Sequence, residues 1–107
     1  MNSQRIWLSY DLGVGGDYDG LYCWLDEHEA KECGDNLATL KFDYELDLVT
    51  DIQNELSESV EITKKDRFYM IFRDDNDQVR GKFLFNIKRK RAPWLGLSEL
   101  IDVEYDI

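Results

Sequence analysis

Three aspartates stand close together near the start of this 107-residue chain. Asp11 ends a first stretch of alternating apolar and polar residues, and Asp17 and Asp19 follow a glycine-rich turn. Carboxylate oxygens are the ligands that a hard cation such as Mg²⁺ prefers, and a metal held this way can assist phosphodiester hydrolysis. Two of the three have local explanations. Asp17 is placed to cap a helix, and Asp19 suits the positive end of the helix dipole. Asp11 has no such explanation and is the one uncommitted candidate for a metal ligand among the three. The spacing does not match an EF-hand loop, because no Glu stands at the twelfth position.

A second constellation is basic. Arg80, Lys82, Lys88, Arg89, Lys90 and Arg91 precede Trp94, and cations mixed with an aromatic are the composition of a nucleic-acid groove. The same residues suit a solvated face that protects an edge strand, or pairing with an acidic helix or acidic partner. Glycines 13, 15 and 16 before a helix could offer backbone N–H groups to phosphate. No Lys follows them, however, and Asp17 and Asp19 would repel an anion, so a flexible connector is expected. His28 is the only histidine and has no nucleophile motif beside it. It is expected to be packed or at the surface, and so few His and Cys residues exclude ordinary zinc sites.

Charge is segregated along the chain. Residues 1–63 carry 15 acidic against 3 basic side chains, residues 64–91 carry 10 basic against 4 acidic, and the net charge is −10. That balance opposes general affinity for nucleic acid but leaves room for local binding through the basic segment. The acidic body supports an alternative role, an inhibitor or immunity-type module that neutralises a basic partner protein by complementarity. A hydrophobic fraction of 43% with 13% aromatic residues argues for one folded domain over residues 1–107. No apolar run reaches membrane-spanning length and the opening residues lack a secretion signal, so a cytoplasmic location without a membrane partner is expected. Cys23 and Cys33 are expected as buried free thiols.

The elements that must position these residues follow from periodicity. Residues 5–11 alternate as a strand, with Ile6, Leu8 and Tyr10 on one face and Trp7 and Ser9 on the other. Tyr18, Leu21, Tyr22 and Leu25 recur at helical spacing, predicting a helix that reaches Glu32 and stops at Gly34. Residues 38–44 alternate as a half-buried strand, and Leu48, Val49, Ile52 and Leu56 mark a helix over residues 46–57. Residues 68–72 are continuously apolar, as in a central strand covered on both faces. A turn at residues 74–77 leads to an alternating strand over residues 79–88. Residues 99–107 alternate once more and predict a terminal strand. Two helices with four or five strands make an α+β, two-layer sandwich with both helices on one face.

The run Ser9-Tyr10-Asp11-Leu12, a glycine-containing turn, then Asp17-Tyr18-Asp19-Gly20-Leu21-Tyr22 resembles the ferredoxin-like proteins grouped around the CRISPR-associated spacer-acquisition endoribonuclease. Virulence-associated protein D and SinR-like proteins belong to that group. The likeness continues through the strand at residues 38–44, the helix after it and Asp66-Arg67-Phe68, covering residues 5–73. It implies a ferredoxin-like homodimer in which Asp11 meets its symmetry mate and holds a divalent metal. It also implies a C-terminal strand, here residues 99–107, that adds to the partner's sheet. The expectation is a binding module, for nucleic acid or for a basic protein. Were it an enzyme, it would be a metal-dependent endoribonuclease.

Overall fold

The computed structural model describes residues 2–99. Ile6, Leu8 and Tyr10 are buried along β1 (Asn2–Asp11), while Trp7 between them is 40% exposed. That alternation is what a strand shows when only one of its faces is covered. The elements after it are α1 (Tyr18–Glu27), β2 (Lys31–Gly34), β3 (Leu37–Tyr44), α2 (Leu48–Ser59), β4 (Arg67–Arg73) and β5 (Val79–Phe83). They form a five-stranded sheet in the order β2-β3-β1-β4-β5, antiparallel at every pairing. Leu21, Trp24 and Leu25 of α1 and Leu48, Ile52 and Leu56 of α2 join Ile6, Leu8, Leu40, Phe42, Phe68 and Met70 in one buried cluster. Both helices therefore cover the same side of the sheet, an α+β arrangement in two layers.

Asp47 caps α2 by accepting from Thr50 N at 2.9 Å. Asp17 caps α1 by accepting from Gly20 N at 2.9 Å, and its other oxygen accepts from Glu61 N at 2.9 Å. One carboxylate thus ties the start of α1 to the segment leaving α2. Gly20 makes this possible, since a Cβ there would strike the Ser59 carbonyl oxygen. Burying one large apolar side chain contributes about 1.5–3 kcal/mol, against about 1 kcal/mol for a cap. The core therefore holds the layers together, and the caps set where the helices begin.

Several expectations are corrected. α1 ends at Glu27, because Glu29 adopts φ 53°. Ala30 N then donates to Leu25 O at 2.9 Å and Glu29 N to Asp26 O at 3.0 Å, the paired bonds of a Schellman stop. A glutamate occupies the left-handed position that glycine usually marks, so the stop is invisible to composition. The chain after it becomes β2, and Cys33 lies in that strand rather than near a helix end. Both cysteines are free, but exposed rather than buried. In α1 the buried stripe runs through Trp24, 1% exposed, whereas Tyr22 is 51% exposed. β4 is covered on one face only, leaving Ile71 38% exposed. β5 stops at Phe83 because Leu84 turns into the core and Phe85 and Asn86 both adopt φ 59°. The predicted terminal strand lies outside the described residues apart from Glu99, which belongs to a helical turn at residues 97–99.

The caps make a pH prediction. Backbone N–H groups, of Glu61 then Gly20 for Asp17 and of Thr50 for Asp47, hold both carboxyls below their ordinary value of 3.8. A lowered folded-state pKa contributes stability above the unfolded value that is lost as pH falls through the folded one. Urea midpoints should therefore fall steadily below about pH 4. The double variant Asp17→Asn, Asp47→Asn should be less stable at pH 7 and lose less between pH 5 and pH 2.

Candidate functional site

Residues paired directly across antiparallel strands share a face, so the register assigns every side chain to a layer. Trp7 pairs with Thr39 and Ile71, Ser9 with Tyr69, Asp11 with Arg67, and Arg5 with Lys41. Lys31 pairs with Thr39, Tyr69 with Phe83, and Arg73 with Val79. All of these project from the face that the helices leave open. The only three basic residues among positions 1–63 are Arg5, Lys31 and Lys41, and all three lie on this face. Arg67 and Arg73 join them. α1 and α2 contain no basic residue at all. The helices thus carry acid without base, while the strands present Arg5, Lys31, Lys41, Arg67 and Arg73 on the open face against Asp11 and Asp43.

The centre of the open face is aromatic. Tyr69 and Phe83 meet edge to face at 4.7 Å between centroids. Tyr69 lies across Gly81, where a Cβ would collide with its hydroxyl. The Arg67 guanidinium sits 5.2 Å from the Phe83 centroid; that of Arg89 sits 5.4 Å from Phe83 and 5.9 Å from Tyr69. With Ser9 and Asp11 these residues enclose a hollow of ≈320 Å³. A second hollow of ≈730 Å³ shares Asp11 and Arg67 and is lined by Lys64, Lys65, Lys88 and Lys90. The ion pairs among the described residues are Arg73–Asp77 and Arg80–Asp74, and His28 Nε2 contacts Glu55. Asp11, Arg67 and Arg89 take part in none, and the buried Arg67 Nε has no hydrogen-bond partner.

Asp66 holds this end of the sheet in place. It is 0% exposed and accepts from Gly13 N at 2.9 Å and Thr63 N at 2.8 Å. The turn after Asp11 is thereby fastened to the turn before Arg67. The glycine turn is an anchored corner rather than a flexible connector, and a Cβ at Gly13 would collide with Lys65 Cβ. On the other side, Phe85 N donates to Gln53 Oε1 at 2.7 Å and the Phe85 ring meets Phe68 edge-on at 5.7 Å. These contacts hold two residues in the left-handed region and swing the chain around the end of the sheet, returning Arg89 over Tyr69.

The expected basic set is divided. Lys88, Arg89 and Lys90 reach the two hollows, joined by Arg67, Lys64 and Lys65. Arg80 is committed to Asp74 at 2.8 Å, a bond that holds the Asp74 carboxyl below its ordinary range. Lys82 pairs with Met70, on the helix side, and its charge is felt by Asp47. Arg91 lines neither hollow, and Trp94, 72% exposed, lies outside both. Asp17 and Asp19 do not gather around Asp11. Among the described residues no three His, Cys, Asp or Glu side chains are grouped to hold a metal. His28 is packed, its ring 4.3 Å from Trp24 and 5.8 Å from Phe42, its Nε2 2.5 Å from Glu55. The apolar run 68–72 hides Arg67 and Tyr69, because continuous apolarity reads as a strand covered on both faces, whereas β4 is covered on one face only, and Phe83 lies opposite Tyr69 on that open face. The signal was available, since 67, 69, 71 and 73 have the same parity.

Removing Asp66 orphans two backbone donors, each costing about 1–3 kcal/mol. Asp66→Ala should therefore lower the urea unfolding free energy by about 2–5 kcal/mol. Asp66→Asn, which keeps one acceptor oxygen, should fall between. Hydrogen exchange should speed first at Gly13 and Thr63. No protein-family model, curated protein or solved structure matches this chain.

Proposed function

We propose that this chain is a binding module for single-stranded nucleic acid, with the open sheet face as its surface. The observation that carries this is the coincidence on one face of an aromatic centre, Trp7, Tyr69 and Phe83, with a basic surround of Arg5, Lys31, Lys41, Arg67, Arg73 and Arg89. Aromatic rings stack bases for about 1–3 kcal/mol each, and a basic surround follows the phosphates. The strand order β4-β1-β3-β2 with two helices on one side supports the ferredoxin-like reading, with β5 added beyond β4. By analogy of fold, single-stranded RNA is bound on such an open sheet through stacking aromatics.

The resemblance to the spacer-acquisition nuclease group adds a homodimer with paired Asp11 residues around Mg²⁺. The electrostatics favour binding over that catalysis. Asp11 shares its hollow with two guanidinium groups, whose charge opposes a divalent cation as it favours a phosphate. The alternative class, capture of a basic protein, is supported by a different surface. Asp43, Glu45, Asp51, Glu55 and Glu58, with Lys41 among them, line a cleft of ≈590 Å³ between the end of β3 and α2.

Fluorescence anisotropy with labelled single-stranded RNA and DNA tests the proposal. Binding at low salt should weaken on adding salt, and Arg67→Ala and Arg89→Ala should each reduce the log–log slope by about 0.7. Phe83→Ala should weaken binding roughly 5- to 150-fold, the equivalent of one base stack. Oligonucleotide binding that ignores all three substitutions would remove the sheet face from consideration. Salt-sensitive capture of a basic protein, undisturbed by Phe83→Ala, would instead favour the cleft between β3 and α2. Magnesium-dependent cleavage abolished by Asp11→Ala would restore the nuclease reading.

A further inference from the structure

We infer that Asp11 makes the aromatic hollow a guanine pocket, a selectivity that rests on the proposed nucleic-acid role of the sheet face. Among the described residues, Asp11 is the only carboxylate lining the ≈320 Å³ hollow formed with Ser9, Arg67, Tyr69, Phe83 and Arg89. Its register partner is Arg67, the neighbour most able to neutralise it. Yet the Arg67 guanidinium lies over Phe83 at 5.2 Å, its Nε lacks a hydrogen-bond partner, and no ion pair joins it to Asp11. Asp17 has both oxygens engaged by Gly20 N and Glu61 N. Among the described residues the Asp11 carboxylate is therefore an uncommitted acceptor at the rim of a cavity floored by aromatic rings. The volume lies at the lower end of small-molecule pockets, about 300–1,000 Å³, which suits one nucleobase.

The four bases differ in what they offer such a group. Guanine presents two adjacent donors, N1–H and the N2 amine, to the two oxygens of one carboxylate. Its O6 and N7 are acceptors, a pattern that arginine meets. Adenine and cytosine each place a ring-nitrogen lone pair beside their amine, and that lone pair faces the carboxylate unfavourably. Uracil offers one N–H between two carbonyls. Stacked on Phe83 and Tyr69 with its donor edge toward Asp11, guanine leaves O6 toward the Arg67 and Arg89 side. The sheet surface alone would bind all bases by stacking; the carboxylate supplies the preference.

The test uses short oligo-U RNA carrying one central G, A, C or inosine, with affinities read by anisotropy. The G-containing strand should bind about tenfold more tightly than all-U. Inosine keeps N1–H and O6 but lacks the amine, and should lose most of that advantage. Asp11→Asn should bring the G-to-U ratio within about threefold, with a thermal melt confirming that the variant is folded. Equal affinity for all strands, a preference for another base, or a G preference retained in Asp11→Asn would overturn the guanine assignment while leaving sheet-face binding intact. Failure of every strand to bind would overturn both.

Discussion

A pleated strand sends successive side chains to opposite sides, and in this protein only one side is covered. That constraint governs the rest of the structure. With α1 and α2 on one face, Ile6, Leu8, Tyr10, Leu40, Phe42, Phe68 and Met70 satisfy the core. Their neighbours in sequence, Arg5, Trp7, Ser9, Asp11, Lys41, Arg67, Tyr69 and Ile71, are thereby delivered to solvent as one surface. A slip of one residue in any register would exchange the two sets. Core packing and the composition of the open face are therefore fixed together, and Gln4 strengthens the arrangement by exchanging two hydrogen bonds with the Arg73 backbone at 3.1 and 3.0 Å.

The same constraint resolves the conflict between a net charge of −10 and a surface suited to phosphate. At physiological ionic strength the Debye length is about 8 Å, while a helix with its side chains is about 10 Å across. Acids on the outer side of α1 and α2 are thus separated from the open sheet by more than a screening length. The local field on the sheet is set by Arg5, Lys31, Lys41, Arg67, Arg73 and Arg89 against Asp11 and Asp43, and the overall balance says little about it. Distant acids still act at low salt, where they would turn the basic face toward any approaching polyanion.

The end of the sheet near Asp11 is assembled from three separate loops. Asp66 fastens the glycine turn to the start of β4, and Gln53 receives the Phe85 amide, so that Lys88, Arg89 and Lys90 wrap past the sheet end. Phe85 at φ 59° is a costly conformation for a bulky residue. It persists where Phe68 and α2 oppose it, and its effect is to carry Arg89 back over Tyr69 and Phe83. Rigid support of this kind leaves the two hollows pre-shaped, which limits the ordering cost of binding.

Much of this architecture was legible in the residues. β1, β3, α2 and the Asp17 cap follow from alternation, helical spacing and capping chemistry, all of which act within a few residues. Three features escaped for a shared reason. The end of α1 depends on Glu29 in a left-handed conformation, the truncation of β5 depends on Leu84 finding the core, and the site depends on which side of β4 the helices leave bare. Each is decided by contacts between segments distant in sequence, where tertiary packing overrides local preference. The chain by itself determined the alternation, and with it which side chains travel together. Only the folded layers decided which set meets water, because a period of two marks two faces without saying which one the helices will cover.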